Sequence, residues 1–347
     1  MKAKARVLVM GYGVIGKRVA DAVSLQDDMS LVGVSDVSSD WRVKMAMKKG
    51  YPIYAATAEA LSKMRAAGIP VQGTAEDLLK QGAVDLIVDA TPKDIGARNK
   101  EGLYKKYGVK AIFQGGEKAN IADVSFVAQR NYEKALGKQF VRVVSCNTTA
   151  ISRVVGGLHE VFGIKKARVT LVRRAVDVWE SHESGVMNTV VPETKIPSHQ
   201  GEDAKTVVEG LNIISIALKG SHNLYHLHTG YLEFNSPIKV EEALEALMKE
   251  PRVVLVRSSD GVMGLNSLVE IGRDLGRPRG DIFEVPVWSD LMKAEGNELY
   301  LMWATGNESI VIPENIDAIR AMMLLEEDAR KSIEKTDKSL GITKSLY

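Results

Sequence analysis

Arg6-Val7-Leu8-Val9-Met10-Gly11-Tyr12-Gly13-Val14-Ile15-Gly16-Lys17 is the stretch that decides the fold of the first half of this 347-residue chain. An apolar run of strand-forming residues enters Gly-x-Gly-x-x-Gly and leaves as an amphipathic helical pattern. Gly11 permits the tight turn, Gly13 lets a pyrophosphate approach the backbone, and Gly16 lets the helix pack on the strand. Val14 and Ile15 open the helix. A second apolar run, Leu31 to Ser35, ends at Asp36, 20 residues after Gly16. A carboxylate at that distance is the expected ribose contact of a dinucleotide-binding unit. Further strands are expected at Val84–Asp89, Lys110–Phe113 and Val141–Ser145, with amphipathic helices between them. That alternation is the signature of a doubly wound, parallel α/β sheet of Rossmann type. Asp89-Ala90-Thr91-Pro92 and Gln114-Gly115-Gly116-Glu117-Lys118 follow two of these strands, so Thr91 and Gly115 join the candidate cofactor contacts at the carboxyl edge.

Beyond residue 146 the texture changes. Longer strands lie closer together, at Arg168–Arg173, Asn212–Leu218, Tyr225–Phe234, Val253–Val256 and Glu298–Trp303, with fewer helices between them. This predicts an α+β domain built on a mostly antiparallel sheet. Pro313 to about Leu340 reads as one helix with Pro in its first turn and an apolar stripe of Ile316, Ile319, Met322, Met323 and Leu325. The expected division is a dinucleotide-binding domain, 1–145, completed by helix 313–340, and a catalytic domain, 146–312. Charge is nearly balanced, 46 basic against 44 acidic residues. Neither a nucleic-acid nor a membrane partner is expected. Met1-Lys2-Ala3-Lys4 leads into a strand rather than a signal peptide, and one cysteine fits a reducing cytoplasm. No Cys/His spacing resembles a metal site.

That one cysteine sits in Ser145-Cys146-Asn147-Thr148-Thr149, at the end of an apolar strand and the start of a helix, with Asn147 and Thr148 as good N-cap residues. Helix N-terminal N–H groups favour the thiolate, the nucleophilic form. A lone cysteine is more often inert and buried, but Ser145 and Asn147 here offer donors to an oxyanion. A thiolate needs a partner base. The six histidines are His159, His182, His199, His222, His226 and His228; His226 and His228 share one face of a strand and either is a reasonable base. Arg173-Arg174 forms a fork suited to phosphate or carboxylate, and Pro197-Ser198-His199-Gln200-Gly201 is a polar loop able to supply further anion donors. A thiolate beside a nicotinamide points to aldehyde oxidation through a thioester.

With these motifs the chain closely resembles the archaeal (type II) phosphorylating glyceraldehyde-3-phosphate dehydrogenases over nearly its whole length. The resemblance also rests on Phe113-Gln114-Gly115-Gly116-Glu117-Lys118, Arg173-Arg174-Ala175, Pro197-Ser198-His199 and Pro313-Glu314-Asn315-Ile316-Asp317. It implies Cys146 as nucleophile and His226, 80 residues on, as the catalytic histidine. It implies Val14, Ile15, Gly115 and Arg174 at the cofactor, and Ser145, Asn147, His199 and Gln200 at the aldehyde. NAD is the expected cofactor, with NADP as the alternative, and a homotetramer the expected assembly. Four departures lie near the implied site. Gln200 stands for a second histidine, and Gly306-Asn307 stand for His-Gln, which makes Asn307 the counterpart of a cofactor contact. Gly220-Ser221-His222-Asn223 and Val176-Asp177-Val178-Trp179 replace other family runs. The remaining readings are a paralogue acting on another phosphorylated aldehyde, a semialdehyde reductase of the aspartate-semialdehyde dehydrogenase kind, and a non-catalytic nucleotide-sensing protein.

Overall fold

Strand β1 (Ala5–Met10) runs through the centre of a sheet, with Val7, Leu8 and Val9 buried on both faces, which is why its sequence is continuously apolar. The structure is a computed structural model and describes residues 4–176 and 189–347. Of the residues named above, Met1-Lys2-Ala3, Asp177, Val178, Trp179 and His182 lie outside the described residues. The chain divides into two units, Met1–Val144 with Ile312–Gly341, and Ser145–Val311 with Ile342–Tyr347.

In the first unit β1 is joined by β2 (Met29–Asp36), β3 (Ile53–Ala55), β4 (Val71–Thr74), β5 (Leu86–Asp89), β6 (Lys110–Phe113), β7 (Val124–Phe126) and β8 (Phe140–Val143). All pairings are parallel, in the order β4-β3-β2-β1-β5-β6-β8-β7. The chain moves outward from β1 through β2 to β4, then crosses to β5 on its other side. Such a switch point opens the ligand crevice at the carboxyl ends of β1 and β5. Gly11 and Ala90 meet there: the Gly11 N–H bonds the Ser35 carbonyl at 2.7 Å and the Ala90 N–H bonds the Met10 carbonyl at 2.7 Å.

The single helix expected over 313–340 is two. Helix Ile312–Met322 ends where Leu324 takes a positive φ of 53° and the Leu325 N–H closes back on the Arg320 carbonyl. Helix Ala329–Leu340 then starts afresh, capped by Asp328, whose carboxylate accepts the Lys331 N–H at 3.1 Å. The acidic run Glu326-Glu327-Asp328 ends the apolar stripe and supplies a new N-cap. Every residue of the first helix is buried. Its Arg320 pairs with Asp28 at 2.9 Å, and its Asn315 exchanges two hydrogen bonds with Gln114, at 2.7 and 3.3 Å. The loop that carries Gly115 is thereby held from below.

The second unit holds β9 (Ile164–Arg173), β10 (Val191–Pro192), β11 (Ile213–Lys219), β12 (His226–Phe234), β13 (Val253–Val256), β14 (Val285–Trp288), β15 (Lys293–Glu295) and β16 (Glu298–Thr305). The order is β10-β11-β9-β12-β16-β14-β13, with β15 on β16; β11–β9 and β13–β14 are parallel and the rest antiparallel. The mixed, mostly antiparallel sheet agrees with the sequence pattern. Along β12, buried residues alternate with half-buried ones from His226 to Phe234, so one face is inward. Helix Cys146–Phe162 is buried without a break from Asn147 to Leu158 and packs against this sheet. A helix buried on nearly every side is a core element rather than a surface one.

Candidate active site

Both candidate sites are built where a strand turns into a helix. At the first, Gly11 has a φ of +84°, and a Cβ on Gly16 would sit 1.8 Å from the Gly11 carbonyl oxygen. Only glycine lets the helix Val14–Ser24 come this close to the loop. Nothing lies within 4 Å of where a Gly13 Cβ would be, and Gly13 caps the helix with no side-chain bond, so the helix N-terminus is open to a phosphate. The Asp36 carboxylate accepts the Tyr12 N–H at 2.7 Å and the Ser38 N–H at 2.8 Å. These two bonds tie the end of β2 to the glycine loop. Thr91 bonds through both its N–H and its hydroxyl to Asp89, a buried carboxylate that also accepts from Asn99 and Tyr104. Its hydroxyl therefore shapes the turn after β5.

At the second, Ser145 is the N-cap, not Asn147 or Thr148, which lie inside the helix. Its hydroxyl accepts the Thr148 N–H at 3.3 Å and meets the Thr148 hydroxyl at 2.9 Å. Cys146 is partly exposed at the first helical position. Surrounding protein pushes its thiol above the ordinary range, while the nearby Arg174 and Arg173 charges and the Asn147 backbone pull the other way. The helix end alone therefore does not bring the thiol below its ordinary range.

His226 and His228 lie on the inward face of β12, opposite Thr305 and Trp303 of β16. His226 accepts the Arg174 backbone N–H at Nδ1, 3.1 Å away. Burial first, then His228, Arg174 and Arg173, push its imidazole well below the ordinary value, so it is neutral at physiological pH. With Nδ1 accepting, the proton sits on Nε2. His226 is therefore oriented as a donor. A base at Nε2 requires the proton to move to Nδ1, against the Arg174 N–H. His228 is fully buried and bonds Asn147 Oδ1 through Nε2 at 2.8 Å.

The other candidates fall as follows. Arg173 is ion-paired with Glu193, so the two arginines do not act as a free fork; Arg174 gives its backbone to His226. His199 is exposed at the start of a short helix, and Gln200 beside it is 0% exposed with neither end of its amide bonded. Asn307, expected at the cofactor, accepts the Tyr225 N–H at 2.8 Å and donates to Glu308 at 2.6 Å. Tyr225 has a φ of 60° immediately before His226, so Asn307 clamps the strained turn that presents the histidine. Gly306 has no room for a side chain: a Cβ there would lie 2.3 Å from Ser309 Oγ and 2.9 Å from the Ile282 carbonyl. No group of ligating side chains able to hold a metal occurs among the described residues. Sequence reading missed the Asn147–His228 and Asn307–Tyr225 contacts, which join residues about 80 positions apart.

A family model described as the C-terminal domain of glyceraldehyde 3-phosphate dehydrogenase matches residues 145–290. A protein named glyceraldehyde-3-phosphate dehydrogenase from Pyrobaculum calidifontis is 48% identical over 339 residues, 97% of each chain. One so named from Archaeoglobus fulgidus is 46% identical over 342 residues, 98% of this chain and 99% of the relative. The chain belongs to the glyceraldehyde-3-phosphate dehydrogenase family. A third member, from Methanobacterium bryantii, is 46% identical over 335 residues, 96% of this chain and 98% of the relative. Within the family frame, the expected enzyme class and nicotinamide chemistry hold for this chain.

Proposed function

We propose that the chain is a phosphorylating glyceraldehyde-3-phosphate dehydrogenase that works through a Cys146 thioester. The observation that carries this reading is the placement of Cys146 and the buried Asn147 at a helix start in the same unit as a neutral His226, in a chain similar over 97% of its length to a protein of that name. The Cys146 thiol gives up its proton to water as its sulfur adds to the aldehyde; the C–S bond forms and the C=O π pair moves to oxygen. The Asn147 amide N–H and the His226 Nε2–H stabilise that alkoxide. The carbonyl re-forms as hydride departs, leaving a thioester. A phosphate oxygen then attacks the thioester carbon, the C–S bond breaks, and Cys146 leaves as thiolate with 1,3-bisphosphoglycerate as product. His226 thus works as an oxyanion donor, where the sequence pattern alone favoured a base.

The first unit fits a nicotinamide dinucleotide, which when bound supplies the hydride acceptor. Gly11, Gly13, Val14, Ile15 and Gly16 form its pyrophosphate cradle, with Gly115 and Thr91 at the crevice edge. NAD is preferred over NADP because the anchored Asp36 accepts from the ribose hydroxyls and repels a 2′-phosphate, and Arg42 is bound bidentately by Asp40. Ser145, His199 and Gln200 contact the substrate. A buried amide with no partner costs about 1–3 kcal/mol, and a bound phosphorylated aldehyde gives Gln200 one. Ile214, Ile216, Tyr300 and Met302 are all at least 36% exposed on the outward face of the second sheet, which supports a homotetramer. The single cysteine supports a cytoplasmic setting.

The test is NAD(P)H formation from a panel of aldehydes with and without phosphate. Glyceraldehyde 3-phosphate with phosphate is expected to be the best pair, and arsenate to replace phosphate. A rate independent of both anions, or a semialdehyde as the better substrate, contradicts the reading.

A further inference from the structure

His228 lies outside the steps just described, yet it is 0% exposed and bonded to the residue that follows the nucleophile. Its Nε2 is 2.8 Å from Asn147 Oδ1 and its Nδ1 has no hydrogen-bond partner; with the carboxamide oxygen facing the ring, the one ring proton belongs on Nε2. Burial and the Arg173 charge push its imidazole down to about 3, so it holds one ring proton at any working pH. The ring cannot turn easily. It meets Trp303 edge-on, with centroids 5.2 Å apart at 79°. Trp303 in turn occupies the space above Gly230, where a Cβ would be 2.8 Å from the indole. On the ladder, His228 is fixed between Leu171 and Trp303.

A carboxamide has an accepting end and a donating end of almost the same shape, and burial alone does not choose between them. We propose that His228 is a positioning residue that makes this choice: by donating to Asn147 Oδ1 it turns the Nδ2–H2 end of Asn147 away from the ring, to serve the aldehyde oxygen. The inference rests on the reading of Asn147 as a substrate contact. Without His228, the amide flips freely, and in the flipped state a lone pair faces the developing alkoxide.

A double-mutant cycle reads this. His228→Ala is expected to lower kcat/KM by about 10²-fold, the size of one lost oxyanion donor. Asn147→Ala is expected to lower it by a similar factor. In the Asn147→Ala background, His228→Ala should then cost less than about twofold more, because the group it orients is gone. His228→Gln, which keeps an N–H near the Nε2 position, should recover activity to within about fivefold. A structural role alone predicts the same loss in both backgrounds and no rescue by Gln, and that result overturns the proposal. A neutron structure of the unmodified protein tests it without turnover. The deuteron is expected on His228 Nε2, with the Asn147 oxygen facing it. A deuteron on Nδ1, or the Asn147 nitrogen facing the ring, overturns the proposal even if the aldehyde chemistry stands. Failure of the wild-type protein to oxidise any aldehyde, with the neutron geometry as described, overturns the functional reading and leaves the orientation intact.

Discussion

The two strand-to-helix junctions use one local design in opposite ways. At Gly13 the helix end has no side-chain cap, and nothing lies within 4 Å of where a Cβ would be. At Ser145 the hydroxyl takes up the Thr148 N–H, and the helix that follows is core from its second residue. On the reading proposed above, the first junction receives a charge from outside. At the second, the surrounding protein pushes the thiol up against the pull of the nearby arginines. A helix N-terminus is therefore not an activating device in itself; the cap and the depth of burial decide what it does.

The largest effect separating the two is expected from Cys146→Ala. Turnover should fall by about 10⁴-fold or more, as for loss of a nucleophile, while NAD affinity by calorimetry stays within about twofold. Residual turnover above a trace would remove Cys146 from the mechanism. The converse change is Gly16→Ala, whose Cβ would be forced into the Gly11 carbonyl. Overpacking of this kind costs about 1–3 kcal/mol, so NAD should bind roughly 5- to 150-fold more weakly. Iodoacetamide should still alkylate Cys146 at the parental rate. Loss of both properties together would mean that the glycine loop supports the whole fold.

The parental alkylation rate itself sharpens the contrast in charge. A thiol raised above the ordinary value of about 8.5 should react faster with each step of pH through that value. A thiolate–imidazolium pair would instead level off near neutrality. A plateau between pH 6 and 8 would show that Cys146 is activated at rest, contrary to its surroundings in the structure. A smaller change is expected from Asp36→Lys. It should move the kcat/KM ratio towards NADP by at least about tenfold, or roughly 1.4 kcal/mol, against a screened ceiling near 4 kcal/mol for two charges 4 Å apart. Equal use of both cofactors by the unmodified enzyme would show that Asp36 serves only its own loop. The smallest is Ser145→Ala, which should cost the fold about 1 kcal/mol of stability. No measurable change in a denaturant midpoint would mean the cap is idle.

Much of this was legible in the sequence for a definite reason. The glycine loop, Asp36 and the Ser-Cys-Asn junction are local patterns, and local backbone chemistry fixes their shape. Lys110–Phe113 and Val253–Val256 also matched strand for strand, because each is a short apolar run between breaks. Ile53–Ala55 and Val124–Phe126 were not visible: three residues carry no period, and neighbouring strands recruit them. The break at Leu324 was hidden because the apolar stripe continues across it to Leu325. The Ser145 cap was misplaced by two or three residues, because Asn147 and Thr148 are themselves good capping types. What lay furthest from the sequence was orientation. His226 as donor depends on the Arg174 backbone, and Asn307 as clamp depends on Tyr225; both are contacts between distant segments.

The most direct test of the central claim is a single turnover without phosphate. The protein, glyceraldehyde 3-phosphate and excess NAD are mixed, and the products are followed by NADH absorbance and intact mass. The account predicts a burst of about one NADH per chain and a thioester on the peptide containing Cys146. Adding phosphate should remove that adduct and start steady turnover. Steady NADH production without phosphate, or an adduct on any residue other than Cys146, would contradict it.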